Sequence, residues 1–195
     1  MTTLAVTPTV TITDAEARDR VLVVDDVLPD PVAYRAFALA QTYQRIETGP
    51  EEVWHGIARL PADSTLPRLI QQMRPSARPH LTFFRKSPQG QPEPNFIHSD
   101  EGMGEFTAIL YLNPTPADGD GTTFWRYRPT GEVYGSARAL PKDVDRWEPW
   151  HQVEARFNRL VIFDSLLFHS RAIQENYGEG DDARLVQVVF GRWDL

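Results

Sequence analysis

Apolar residues recur at helical spacing in parts of the first third of this chain and alternate with polar ones through most of the rest. Val21-Leu22-Val23-Val24 is a short apolar run and predicts a buried strand. Asp30 stands where an N-cap belongs, with Pro31 at the first helical position. Val32, Ala36, Leu39, Ala40 and Tyr43 follow at helical spacing and predict an amphipathic helix over 31–46, ended by Gly49-Pro50. A second helix is predicted from Ser64, with Leu66, Leu69, Ile70 and Met73 as its buried stripe and Pro75 beyond its end. From His80 the pattern turns to strands: 81–84, 95–98, 106–112, 122–127, 160–163 and 184–190. The loop 87–94 carries three prolines, and Asp118-Gly119-Asp120-Gly121 reads as a hairpin between 106–112 and 122–127. Short antiparallel strands at this spacing predict a jelly roll or barrel. The two helices are expected to brace one face of its sheet. Residues 1–20 read as a loose leader or an added edge strand.

Composition narrows this picture. A chain of 195 residues with 41% hydrophobic content suits one domain with a sizeable core, spanning 1–195. Twenty basic residues against 27 acidic give a net charge of −7, which argues against a broad nucleic-acid footprint. There is no cysteine, so disulfides and thiolate-bound zinc or iron–sulfur sites are excluded. No apolar run approaches the ~20 residues that span a bilayer, and residues 1–13 lack the basic and apolar regions of an export signal. The expectation is therefore cytoplasmic, with no membrane and no nucleic acid as partner. Oligomeric state is not legible.

Residues 126–156 fit a core poorly. Arg126, Arg128, Lys142 and Arg146 are interleaved with five acidic residues and with Tyr127, Tyr134, Trp147 and Trp150. An insert of this length is either a lid over a site or a solvated excursion with its aromatics packed on the sheet.

The candidate chemistry lies in His98-Ser99-Asp100 and, about seventy residues on, His169. In a strand, residues i and i+2 point to one face, so His98 and Asp100 would present an imidazole and a carboxylate together. A histidine from a distant strand would complete a triangle. Two imidazoles and a carboxylate on one face of an octahedron leave three positions open, the set that favours non-heme Fe(II) in oxygen chemistry. A lone His-x-Asp occurs easily by chance, and its neighbours give it weight. His55, His80 and His151 have no carboxylate two residues on along a following strand and read as surface or satisfied core histidines. Asn95, Ser165 and Trp125 are candidate pocket residues. Ser165 is not a nucleophile candidate, since no histidine–acid pair is placed to activate it.

The order of motifs resembles the Fe(II)/2-oxoglutarate-dependent oxygenases, and most closely their prolyl-hydroxylase-like branch, over about residues 81–195. The matching words are His98-Ser99-Asp100, Tyr111-Leu112-Asn113, Gly121-Thr122-Thr123-Phe124, Arg159-Leu160-Val161-Ile162-Phe163 and His169, with Arg184 fifteen residues later. Gly119-Asp120-Gly121 departs from the family's usual double glycine and reads as a turn variant. The resemblance implies a mainly β (α+β) fold, a double-stranded β-helix with N-terminal supporting helices. It implies His98, Asp100 and His169 as metal ligands and catalytic centre, with Fe(II), 2-oxoglutarate and O2 as cofactor and co-substrates. It implies Arg184 as the residue that holds the distal carboxylate of 2-oxoglutarate, since a guanidinium matches a carboxylate bidentately.

Alternatives stand beside these assignments. Arg171, two residues past His169, is the rival clamp, and an ion pair of Arg184 with Asp181 or Asp182 is the plain alternative. Tyr111 either donates to the same carboxylate or is a core tyrosine with an internal partner. The activity implied is hydroxylation of an unactivated C–H bond in an amino acid, a peptidyl side chain or a small metabolite, with 2-oxoglutarate decarboxylated to succinate. The rivals are a cupin-like metalloenzyme that does not use 2-oxoglutarate and a non-catalytic barrel that binds a ligand.

Overall fold

The computed structural model describes residues 19–49, 52–92, 97–138, 140–141 and 143–194. The strand proposed over 95–98 and the leader lie partly or wholly outside them, and so does Asn95. Ten strands are described: β1 (Val21–Val24), β2 (Gln44–Gly49), β3 (Glu52–Leu60), β4 (Ala77–Ser87), β5 (Phe106–Tyr111), β6 (Gly121–Tyr127), β7 (Trp147–Glu154), β8 (Leu160–Asp164), β9 (His169–Arg171) and β10 (Arg184–Trp193). Two helices accompany them, α1 (Pro31–Leu39) and α2 (Thr65–Met73). The strands form an antiparallel seven-stranded sheet in the order β1-β8-β5-β10-β4-β3-β2 and a three-stranded sheet β7-β6-β9. This is a jelly-roll β-sandwich braced by helices.

The central strands are apolar on both faces because both faces are covered. Phe106, Ala108 and Leu110 of β5, Leu160 and Ile162 of β8 and Leu185 and Val189 of β10 form one core with Ala38 of α1 and Leu66 and Ile70 of α2. Their alternate neighbours Tyr111, Val161, Phe163 and Val186 form a second core with Phe124 and Val153 of the small sheet. Gln187, buried on the helix side, is satisfied: Tyr34 of α1 donates to it and it donates to Thr82, which is buried as well. The second core walls the space in which the candidate site lies.

Three expectations change. The first helix stops at Leu39 rather than 46. Asp30 caps it as expected, accepting from the Ala33 amide, but residues 44–49 leave the helix to pair with β3. Strand pairing there outweighs the helical spacing of Ala40 and Tyr43. On α2, Leu66 and Ile70 are buried, while Met73 is exposed. Second, Asp118–Gly121 does not close a hairpin. β5 and β6 lie in different sheets, so the turn is a crossover from one sheet to the other. Gly121 is required there: its φ is +152°, and a Cβ would meet the Val153 carbonyl oxygen at 2.1 Å. Third, the stretch 126–156 is not one insert. It begins inside β6, and residues 147–154 return as β7, pairing with β6 from Tyr127↔Trp147 to Gly121↔Glu154. His151, read as a loop residue, is therefore on a strand. Tyr127 and Trp147 are buried with Ile97, Ala137 and Phe168 on the small sheet.

Candidate metal centre

His169 opens β9 and is bound into the small sheet opposite Phe124. His98 faces it as an isolated bridge, with the amide of each donating to the carbonyl of the other at 2.9 and 2.8 Å. This single bridge holds the segment that carries His98 beside β9. The Asp100 amide donates to the Ser165 carbonyl at 2.8 Å, which pins the end of this segment against the turn after β8. These backbone contacts bring His98, Asp100 and His169 together. Each offers a ligand atom, and these atoms all lie within 4.8 Å of one another. His98 Nε2 is 3.5 Å from Asp100 Oδ1, and His169 Nε2 is 3.3 Å from Asp100 Oδ2.

The protonation pattern suits a cation. His169 Nδ1 lies 2.8 Å from the Leu167 carbonyl, an acceptor, so Nδ1 carries the proton and Nε2 offers its lone pair. Burial alone would push the Asp100 carboxyl up, but His169 and then His98 more than offset it and hold it well below the usual carboxylate range. The side chains of His98, Asp100 and His169 are 35%, 12% and 5% exposed, so the cluster opens to solvent on the His98 side. Phe163 packs edge-on against the His169 ring at 4.7 Å. Two imidazoles and one carboxylate, converging and partly open, fit a divalent transition metal with positions left for other ligands.

Two further residues, which the motif order did not single out, serve the carboxylate. Thr107, on the inter-sheet face of β5, donates its hydroxyl to Asp100 Oδ2 at 2.6 Å. Ser165 Oγ lies 3.1 Å from Thr107 Oγ1, and both are fully buried. No spacing rule links Thr107 to Asp100. Only the pairing of β5 with β8 places Thr107 beside Ser165.

Arg184 opens β10 as expected, but its partner is neither Asp181 nor Asp182. Its Nε donates to both carboxylate oxygens of Asp120, at 3.0 Å each. The pair is almost fully buried, with side chains 5% and 1% exposed. Asp120 also accepts from the Tyr177 hydroxyl at 2.9 Å and from the Gly121 amide at 2.7 Å. The residue read as a turn variant is thus the buried counter-charge of Arg184. Its only signal in the sequence was the departure from a double glycine. Burial would depress the Arg184 pKa, but Asp120 more than compensates and raises it, so the guanidinium is charged. The Tyr111 hydroxyl is paired with Thr122 Oγ1 at 2.7 Å, and burial pushes its pKa up to about 12. Arg171 turns to the loop that follows it, bonding Asn176 and, at 3.4 Å, the Gln174 carbonyl. Trp125 donates to Ser170 Oγ at 2.9 Å. His80 Nε2 lies 2.9 Å from the Met103 carbonyl, and His55 lies on β3.

A model of a family of unknown function, DUF6445, matches residues 134–185, about a quarter of the chain. No curated protein matches the sequence. Several solved structures share the architecture. One is the epimerase SnoN in complex with Fe3+, alpha ketoglutarate and nogalamycin RO, at 16% identity and a TM-score of 0.57, covering 90% of this chain and 80% of that one. Another is a Pseudomonas putida prolyl-4-hydroxylase, at 17% identity and a TM-score of 0.54, covering 93% and 99%. A third is HygX from Streptomyces hygroscopicus with nickel and 2-oxoglutarate bound, at 15% identity and a TM-score of 0.52, covering 92% and 86%. The chain therefore has the fold of these proteins, two of which were solved with a metal and 2-oxoglutarate (alpha ketoglutarate) bound. Among the described residues no helix is long and apolar enough to cross a membrane.

Proposed function

We propose that this protein is a non-heme Fe(II)- and 2-oxoglutarate-dependent oxygenase that hydroxylates an unactivated C–H bond of an amino acid, a peptidyl side chain or a small metabolite. The observation that carries the reading is the convergence of His98, Asp100 and His169, with ligand atoms within 4.8 Å, at the edge of the space between the sheets. Iron bound there would activate O2 at the expense of 2-oxoglutarate, which leaves as succinate and CO2. The protein's own share is to hold, orient and exclude. The Leu167 carbonyl fixes the His169 tautomer, and Phe163 dries the inner side of that ring. Arg184 meets Asp120 through Nε, and its two Nη groups would be the ones to hold a second carboxylate. Tyr111 and Thr122 lie between this arginine and the metal ligands. Thr122 is two residues along β6 from Phe124, the strand partner of His169.

One observation favours a second reading, a cupin-like metalloenzyme that does without 2-oxoglutarate. The buried charge of Arg184 already has a carboxylate partner. Anaerobic titration of 2-oxoglutarate into the Fe(II)-loaded protein separates the two. A visible charge-transfer band that saturates with 2-oxoglutarate is expected. Iron binding with no band, and turnover that ignores 2-oxoglutarate, would establish the second reading instead.

A further inference from the structure

Asp100 does not stand alone beside the histidines. Its Oδ2 accepts the Thr107 hydroxyl proton at 2.6 Å. A carboxylate only accepts, so the single proton of Thr107 is committed to it. The contact between Thr107 Oγ1 and Ser165 Oγ, at 3.1 Å, must then run the other way, with Ser165 donating. The result is a two-hydroxyl relay, Ser165 to Thr107 to Asp100, buried throughout. Ser165 grips the same segment a second time, since its carbonyl accepts the Asp100 amide at 2.8 Å. Its own amide donates to the Glu105 carbonyl at 3.1 Å, just before β5. The carboxylate is therefore fixed in position and rotation by one rigid junction between β5 and the end of β8. One lone pair of Oδ2 is consumed, while among the described residues no hydroxyl or amide donates to Oδ1.

We infer that Thr107, backed by Ser165, is a positioning residue for metal binding, holding Asp100 as a one-oxygen ligand offered through Oδ1. This rests on the reading of His98, Asp100 and His169 as metal ligands. A carboxylate free to rotate could ligate with both oxygens and would take up a position that a co-substrate needs. The hydroxyl on Oδ2 opposes that rotation and orders the ligand before the metal arrives. Outer hydrogen-bond partners of metal ligands typically govern metal affinity by 10–100-fold.

Co(II) is the probe, with its dissociation constant read by competition against a chromophoric chelator and its coordination by visible absorption. Thr107→Val, close to isosteric and without a donor, is expected to weaken Co(II) binding by about 10–100-fold and to change the Co(II) spectrum. Thr107→Ser, which restores the hydroxyl, is expected to return both to the parent's values. Ser165→Ala leaves Thr107 in place and is expected to cost a smaller factor, about threefold to tenfold, in proportion to its place one bond further out. Melting of the metal-free variants reports whether each folds, and if Thr107→Val does not, Ser165→Ala carries the test. Parent-like affinity and spectrum in Thr107→Val, or in Ser165→Ala where that stands alone, overturns the proposal while leaving the metal site in place. A parent protein that binds no Co(II) overturns the metal site itself, and the positioning role with it.

Discussion

At the His98 end of the inter-sheet space, two imidazole nitrogens and a carboxylate face one another, with the Thr107 hydroxyl donating to the carboxylate from β5. At the Arg184 end, the guanidinium, the Asp120 carboxylate and the Tyr177 hydroxyl already satisfy each other in almost complete burial. The first arrangement is electron-rich and poised for a cation. The second is neutral as a whole and offers a ligand only one edge of an arginine. A site of the first kind draws its affinity from the metal. In the second, affinity is shared with an internal competitor, because Asp120 repels any anion that Arg184 attracts. Asp120 also orients Arg184 and offsets the cost of burying its charge when no ligand is present.

The contrast is broken most completely at the metal end. His169→Ala, His98→Ala or Asp100→Ala is expected to take bound iron from a full equivalent to a trace, read by elemental analysis, with the fold retained. Full iron in His169→Ala would remove it from the ligand set.

Arg184→Ala tests the other end and should spare iron. It strands the buried Asp120 charge, so stability should fall by about 3–5 kcal/mol, read by denaturant unfolding. Affinity for 2-oxoglutarate should fall roughly thirtyfold to several thousandfold, the equivalent of about 2–5 kcal/mol. Arg171→Ala, which loses the bonds to Asn176 and the Gln174 carbonyl in the loop that follows it, should change that affinity by less than about threefold. The reverse ranking would move the clamp to Arg171.

Asp120→Asn sharpens the comparison by removing charge and keeping geometry. The amide oxygen can still accept from Arg184 Nε and the Gly121 amide, and the amide nitrogen can donate to Tyr177. Like charges ~7 Å apart at an effective dielectric of ~20 repel by about 2 kcal/mol. The variant should therefore bind 2-oxoglutarate more tightly, by up to about thirtyfold, while the ligand-free protein loses stability. Weaker binding would mean that the Asp120 charge assists the ligand rather than competing with it.

The smallest effect is alkaline and belongs to the same end. Tyr111 is raised from about 10 to about 12, so its contribution to stability is complete below pH 10 and is lost as pH rises through 12. Two units correspond to about 2–3 kcal/mol. Tyr111→Phe should flatten stability against pH across that window, and an unchanged slope would assign the alkaline loss to other tyrosines.

How each end was read from the chain differs in the same way. His98 and Asp100 were legible because the alternation of a strand is local, and because the neighbouring motifs supplied His169 at the right remove. Arg184 was legible as a position, at the head of the last strand, but its partner was not. Asp120 lies 64 residues away in a turn whose spacing resembled a hairpin. Thr107 looked like any polar residue in an alternating strand, and Ser165, though a candidate pocket residue, carried no sign of its tie to Asp100.

The sequence by itself determined the mainly β layering, the capped start of α1 and the choice of the three candidate ligands, since these depend on period, near neighbours and the order of motifs. The tertiary structure alone decided that 44–49 is a strand, that 118–121 crosses between sheets, that 147–154 is an edge strand, and that Asp120 and Thr107 serve Arg184 and Asp100. Those outcomes turn on which strand pairs with which, and pairing is settled by contacts between residues far apart in the chain, where local spacing carries no information.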